Sequence, residues 1–254
     1  MSFQRAIVTL LGLAMAWASA GAAQVQVAVA SNFAAPMQRI AQAFAQATGH
    51  QAVLSVGSSG KFFAQIQNGA PFALLLSADQ DVPQRLVAAG LALPETRWTY
   101  AVGHLVLWSP QPGLVDAQGQ VLQRPLPGKL AWADPRLAPY GLAAQQVVAR
   151  LGLTERLRPH AVQGENIAQT FQFVRSGNAA LGFVALSQVL QDGQTLAGSL
   201  WRVPADLHAP IRQDAVLLRA GAGQPAAQAL VAFLRGPQAR QIIEQHGYTV
   251  PAPP

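Results

Sequence analysis

The residues of this sequence that could do chemistry concentrate in five short stretches: Ser31-Asn32, Gly57-Ser58-Ser59-Gly60, Ser77-Ala78-Asp79, the run from Asp134 to Tyr140-Gly141, and Glu165-Asn166-Ile167. They are rich in hydroxyls, amides and glycine. A dianion taken out of water needs a hydrogen-bond donor for each of its oxygens. Neutral dipoles at helix starts can supply those donors without a full counter-charge. The competing reading is that Ser, Asn and Asp are the ordinary caps of helices, and for any one position alone it is the better one. Joint placement of all five stretches at one edge of the fold favours a site. Gly57 and Gly60 are expected to let a ligand come close to the backbone.

Other chemistries fit less well. The run Gly57-Ser58-Ser59-Gly60-Lys61 is not a phosphate loop, because two residues rather than four separate its glycines and Phe62 follows the lysine. Ser59 with Lys61 or His104, oriented by Asp79, would make a nucleophile and base. No G-x-S-x-G elbow supports that, and His50, His104, His160, His208 and His246 sit in no motif. The reading is therefore not an enzyme, with a secreted serine hydrolase kept as a minor alternative. No cysteine, no HxxxH and no carboxylate cluster argue for a metal held directly by side chains. Trp98, Tyr100, Trp108, Trp132 and Trp201 read as core or hinge packing, and an amino-acid or polyamine site would want more charge than Lys61 and Asp79 supply.

The elements that must position these stretches alternate strand and helix. Residues 25–30 (VQVAVA) read as a strand, and Phe33, Met37, Ile40, Phe44 and Ala47 then recur at helical spacing up to Thr48-Gly49. Residues 52–56 form a second strand, followed by a helix carrying Phe62, Phe63 and Ile66. Residues 72–77 (FALLLS) form a third, apolar enough to be covered on both faces. After Tyr100 the pattern restarts, with strands at 104–108, 129–133 and 181–185 and helices at 141–151 and 167–175. A strand at 214–218 and two helices broken at Gly236-Pro237 close the chain. Two α/β blocks with a small C-terminal piece imply two lobes, 24–102 plus 212–254 and 103–211, with the chain crossing between them twice. In open parallel sheets ligands sit beyond the carboxyl ends of the strands, where all five stretches fall.

The first 23 residues carry one cation, Arg5, then an apolar run and small residues, the pattern of an export signal. Cleavage after Ala20 or after Ala23 satisfies the small-residue rule, and Ala23 is adopted. No later segment is long enough to span a membrane, so a soluble periplasmic protein is expected. With 0 cysteines its stability must come from apolar burial, for which 51% hydrophobic residues suffice. The net charge of +6 is spread singly along the chain, which argues against a nucleic-acid partner.

Taken together, residues 25–33 (VQVAVASNF), 57–61 (GSSGK), Gly69-Ala70-Pro71 with 75–79 (LLSAD), Asp134-Pro135, 138–141 (APYG), 164–169 (GENIAQ) and 234–239 (LRGPQA) resemble the molybdate-binding proteins of ABC transporters. The likeness runs over nearly the whole mature chain. It implies a type II periplasmic-binding-protein fold, two doubly wound lobes with the ligand cleft between them. It also implies capture of a tetrahedral oxyanion, molybdate or tungstate, for a membrane permease by a monomer that uses no cofactor. Carried over by position, the oxyanion ligands are Ser31, Asn32, Ser59, Tyr140 and Ile167, the last two through backbone NH groups. Some members add a tyrosine hydroxyl where this sequence has Ala185. The side chain of Asn32 or Tyr140 is expected to replace that bond. Related proteins for sulfate, thiosulfate and phosphate are the alternative. Protonated phosphate would need an acceptor, for which Asp79 and Glu165 are candidates, although both read better as helix-start residues.

Overall fold

The computed structural model describes residues 22–191 and 193–252. The export signal therefore lies, but for Ala22 and Ala23, outside the described residues. In chain order the elements are β1 Gln24–Ala30, α1 Ala34–Thr48, β2 Gln51–Gly57, α2 Ser59–Gln67, β3 Leu74–Leu76, α3 Asp81–Ala88, β4 Trp98–Gly103 and β5 Leu105–Ser109. Then come β6 Leu130–Ala133, α4 Pro139–Arg150, α5 Thr154–Leu157, β7 Ala161–Gly164, α6 Ile167–Arg175, β8 Leu181–Ala185 and α7 Leu186–Val189. A small ribbon, β9 Leu190–Gln191 and β10 Gln194–Thr195, precedes β11 Ser199–Arg202, β12 Ile211–Leu217, α8 Pro225–Arg235 and α9 Pro237–Gln245.

Two five-stranded sheets result, ordered β2-β1-β3-β12-β4 and β11-β5-β8-β6-β7. In the first, β1 pairs in parallel with both β2 and β3. The C-terminal strand β12 then enters antiparallel between β3 and β4. The small tail piece seen in the sequence is thus the element that completes the first sheet. Both sheets are covered on both faces, as alternation along the strands requires. In β1, Val25, Val27 and Val29 face the helices α1, α8 and α9, whereas Ala28 faces Phe62, Ile66 and Leu86 of α2 and α3. In β8, Leu181, Phe183 and Ala185 point to one core and Val184 to another. This is the doubly wound, two-lobed architecture expected.

The first sheet draws its strands from residues 24–103 and 211–217, the second from 105–202. Only His104 separates β4 from β5, so the chain turns from one sheet to the other within a single residue. Gly103 stands at that turn because the Tyr140 hydroxyl and the Gln213 amide occupy the space a Cβ would need. Strands β4, β7 and β11 have no counterpart in the sequence reading. All three are sheet edges. Edge strands need not be apolar on both faces, so they carry a weak hydrophobic signature.

Candidate functional site

Every strand-to-helix junction predicted to hold ligand groups opens on the same small pocket between the two sheets. Its first wall is made by Ser31 and Asn32 after β1, Ser58 and Ser59 after β2, and Ala78 after β3; its second by Tyr140 at the start of α4 and Ile167 at the start of α6. The structure thus brings together all five predicted residues, Ser31, Asn32, Ser59, Tyr140 and Ile167, and adds Ser58. All six are buried. No charged side chain lines the pocket.

The local hydrogen bonding shows which donors remain available. In α6 the side-chain oxygen Asn166 Oδ1 accepts from both Ala168 N–H and Gln169 N–H at 3.0 Å. Asn166 is therefore a true N-cap, and the first-turn donor it leaves is Ile167 N–H. In α4, Pro139 has no N–H and Gly141 N–H turns back to Ala138 O at 2.8 Å, which leaves Tyr140 N–H. On the other wall Ser31 and Asn32 lie in a 3-10 turn that leads into α1, so they too offer first-turn N–H groups. Ser59 Oγ accepts from Ala78 N–H at 3.0 Å and keeps its own proton to donate.

Two expectations need correction. The glycines do not clear a path for a ligand. A Cβ on Gly57 would press on the Phe62 ring, and one on Gly60 would meet Leu137 of the opposite wall at 3.1 Å. Gly60 N–H donates to Leu137 O at 3.1 Å, so this glycine serves lobe-to-lobe contact. Nor do the side chains of Asn32 and Tyr140 replace a hydroxyl missing at Ala185. Asn32 Nδ2 gives its two hydrogens to Gln213 Oε1 at 2.9 Å and Tyr248 OH at 3.0 Å. The Tyr140 hydroxyl accepts from Gln213 Nε2 at 3.2 Å and is also hydrogen-bonded to the Tyr248 hydroxyl, so both of its partners lie within the buried cluster.

These groups belong to a buried polar cluster behind the pocket. Tyr100 OH donates to Gln213 Oε1 at 2.9 Å, Tyr248 OH to Asn32 O at 2.7 Å, and Ser187 Oγ lies 2.9 Å from the Tyr248 hydroxyl. Burial raises the phenols of Tyr100 and Tyr140 well above 10 and that of Tyr248 to about 12. They stay neutral at every physiological pH. Tyr140 and Ser187 come from the second lobe and the other members from the first, so the cluster ties the lobes together. Tyr248 and Gln213 escaped the sequence reading because both lie far from any strand-to-helix junction.

The carboxylates near the mouth are engaged elsewhere. Asp79 Oδ1 accepts from Val82 N–H at 2.8 Å and from Ser77 Oγ at 3.1 Å, capping α3, and burial raises its carboxyl above the usual range. Glu165 pairs with Lys61 across the cleft at 2.6 Å, with both side chains substantially exposed. Neither presents an acceptor to the pocket, as a protonated phosphate would require. Among the described residues no group of three His, Cys, Asp or Glu is placed to hold a metal ion, and no helix is long and apolar enough to cross a membrane. A larger groove of about 930 Å³ runs outside Ser31 and Asn32, lined by Arg39, Arg175 and several glutamines.

Comparison with known proteins locates this architecture. Residues 25–249 match the family model of bacterial extracellular solute-binding proteins. The molybdate-binding protein ModA of Azotobacter vinelandii is 53% identical over 249 residues, covering 98% of this chain and 99% of that protein. ModA of Rhodobacter capsulatus is 48% identical over 244 residues, 96% of this chain and 94% of that one. The solved structure of the Azotobacter vinelandii periplasmic molybdate-binding protein superposes with a TM-score of 0.88 at 43% identity, covering 90% of this chain and 100% of that structure.

Proposed function

The chain belongs to the molybdate-binding branch of the bacterial extracellular solute-binding proteins, and on that premise we propose that it captures molybdate or tungstate in the periplasm and hands it to the membrane permease of an ABC transporter. The observation that carries this reading is the pocket between the sheets, lined by uncharged donors from both walls and by no carboxylate.

Ser31 and Ser59 supply hydroxyls, and Asn32, Tyr140 and Ile167 supply backbone N–H groups to the oxygens of one tetrahedral dianion. Its charge is met by the partial positive ends of helices, whose dipoles are fixed before the anion arrives. A ligand hydroxyl that must donate its proton finds no carboxylate to accept it here, so the site favours fully ionised oxyanions over protonated phosphate. Residues 24–102 with 212–254 move as one lobe and 103–211 as the other, hinging where the chain crosses near Gly103 and Ile211. The anion bridges both walls and shifts the lobes toward closure. The protein acts as a monomer, carries no catalytic residue, and reaches the periplasm by cleavage of residues 1–23.

Calorimetric titration of the ligand-free mature chain with molybdate, tungstate, sulfate and phosphate in chloride buffer tests this. One-to-one binding of molybdate and tungstate with phosphate silent is expected. Tight phosphate binding would move the substrate, and silence for all four would end the oxyanion reading.

A further inference from the structure

Among the described residues only two buried side-chain polar atoms lack a hydrogen-bond partner, Ser58 Oγ and Trp108 Nε1. Trp108 packs against the tilted ring of Phe171 in the apolar core of the second lobe. Ser58 is different, because it is 3% exposed and lines the pocket between the sheets.

Its position in the chain makes the missing partner informative. Ser58 is the N-cap of α2, with the extended backbone (φ −88°, ψ 150°) of that position, yet its side chain caps nothing. A serine there ordinarily accepts from the second or third N–H of the helix. The second, Gly60 N–H, is taken by Leu137 O from the opposite lobe. Asn166, at the equivalent place in α6, caps both of its N–H groups. A buried hydroxyl left without a partner is costly and calls for a specific reason. An orphan donor facing a pocket lined by donors has one, a ligand rich in acceptors.

We propose that the Ser58 hydroxyl donates directly to the bound oxyanion, beside Ser59, and supplies the bond that neither Ala185 nor the engaged side chains of Asn32 and Tyr140 provides. This rests on the oxyanion reading of the pocket. With Ser58, Ser59 and the α2 N-terminus acting together, the loop after β2 becomes the main holder of the ligand, and discrimination among oxyanions depends on two adjacent hydroxyls.

The test titrates molybdate into the parent chain, Ser58→Ala and Ser58→Thr, with the thermal midpoint of each ligand-free protein measured alongside. Ser58→Ala is expected to bind about 10- to 100-fold more weakly, mainly through faster dissociation. Its ligand-free midpoint should stay near the parent's, and Ser58→Thr, which keeps the hydroxyl, should recover most of the affinity. Parent-like affinity in Ser58→Ala overturns the proposal. So does a fall in affinity that tracks a lower ligand-free midpoint and is not recovered by threonine, since that marks a cap. If the parent itself binds no oxyanion, the functional reading fails with it, whereas a binding parent with an indifferent Ser58→Ala removes Ser58 alone.

Discussion

The first lobe meets the pocket with side chains: Ser31, Ser58 and Ser59 bring three hydroxyls to its wall. The second lobe meets it with backbone, the N–H groups of Tyr140 and Ile167, left over when Pro139, Ala138 and Asn166 account for their neighbours. Both walls are helix N-termini with the same electrostatic sense. They differ in what a mutation can reach. A hydroxyl can be deleted by one substitution, but a backbone donor is altered only through the residues that set the helix start. On the proposed function, the first wall is where single substitutions tune the ligand, and the second is reached only through the residues that set its helix starts.

Several changes should sharpen or break that contrast. The largest effect is expected for Ser31→Ala combined with Ser59→Ala, which removes two donors to a charged ligand, about 1.5–3 kcal/mol each. Calorimetry should show molybdate affinity reduced by at least about 100-fold. Ser59→Ala also orphans Ala78 N–H, so its thermal midpoint should fall as well. Gly60→Val comes next. It places a branched side chain against Leu137, and overpacking of about 1–3 kcal/mol is set against closure. Affinity should drop about 10-fold or more while the separate lobes stay folded, as circular dichroism and scattering would report. Asn166→Ala reaches the second wall only indirectly. Loss of a cap costs about 1 kcal/mol of stability, with an affinity loss of a few-fold. An affinity loss as large as that of the serine pair would abolish the distinction between the walls. Lys61→Met removes the exposed rim pair with Glu165, worth about 1 kcal/mol or less. The change should be under about fivefold and vanish at high salt. Affinity itself should be flat between about pH 6 and 9, because the only titratable group lining the pocket is Tyr140, whose phenol burial holds well above 10.

How much of this is legible in the sequence follows the same contrast. The central strands β1, β3, β5, β6 and β8 can be read because they are apolar on both faces. The edge strands β4, β7 and β11 cannot, and periodicity marked the tail strand without revealing that β12 inserts antiparallel between β3 and β4. The serines of the first wall announce themselves by residue type. Tyr140 and Ile167 do not, because a backbone N–H has no residue signature: residue types and strand-end placement marked the stretches they lie in, and their role as donors entered through resemblance to a known family. Within Gly57-Ser58-Ser59-Gly60 the sequence could not separate two adjacent hydroxyls. One accepts from Ala78 and the other is left without a partner, and only the folded geometry tells them apart. The glycines of that run were misread for a related reason, since a missing side chain does not say whether a ligand, the Phe62 ring or the opposite lobe fills the space.

A crystal structure of the mature chain grown with molybdate, with the molybdenum located by its anomalous signal, tests the central claim most directly. One strong peak is predicted between the two walls, its oxygens within hydrogen-bond reach of the Ser31, Ser58 and Ser59 hydroxyls and of Tyr140 and Ile167 N–H. A peak in the groove beside Arg39 and Arg175, or between the sheets but bound to one wall alone, would contradict it.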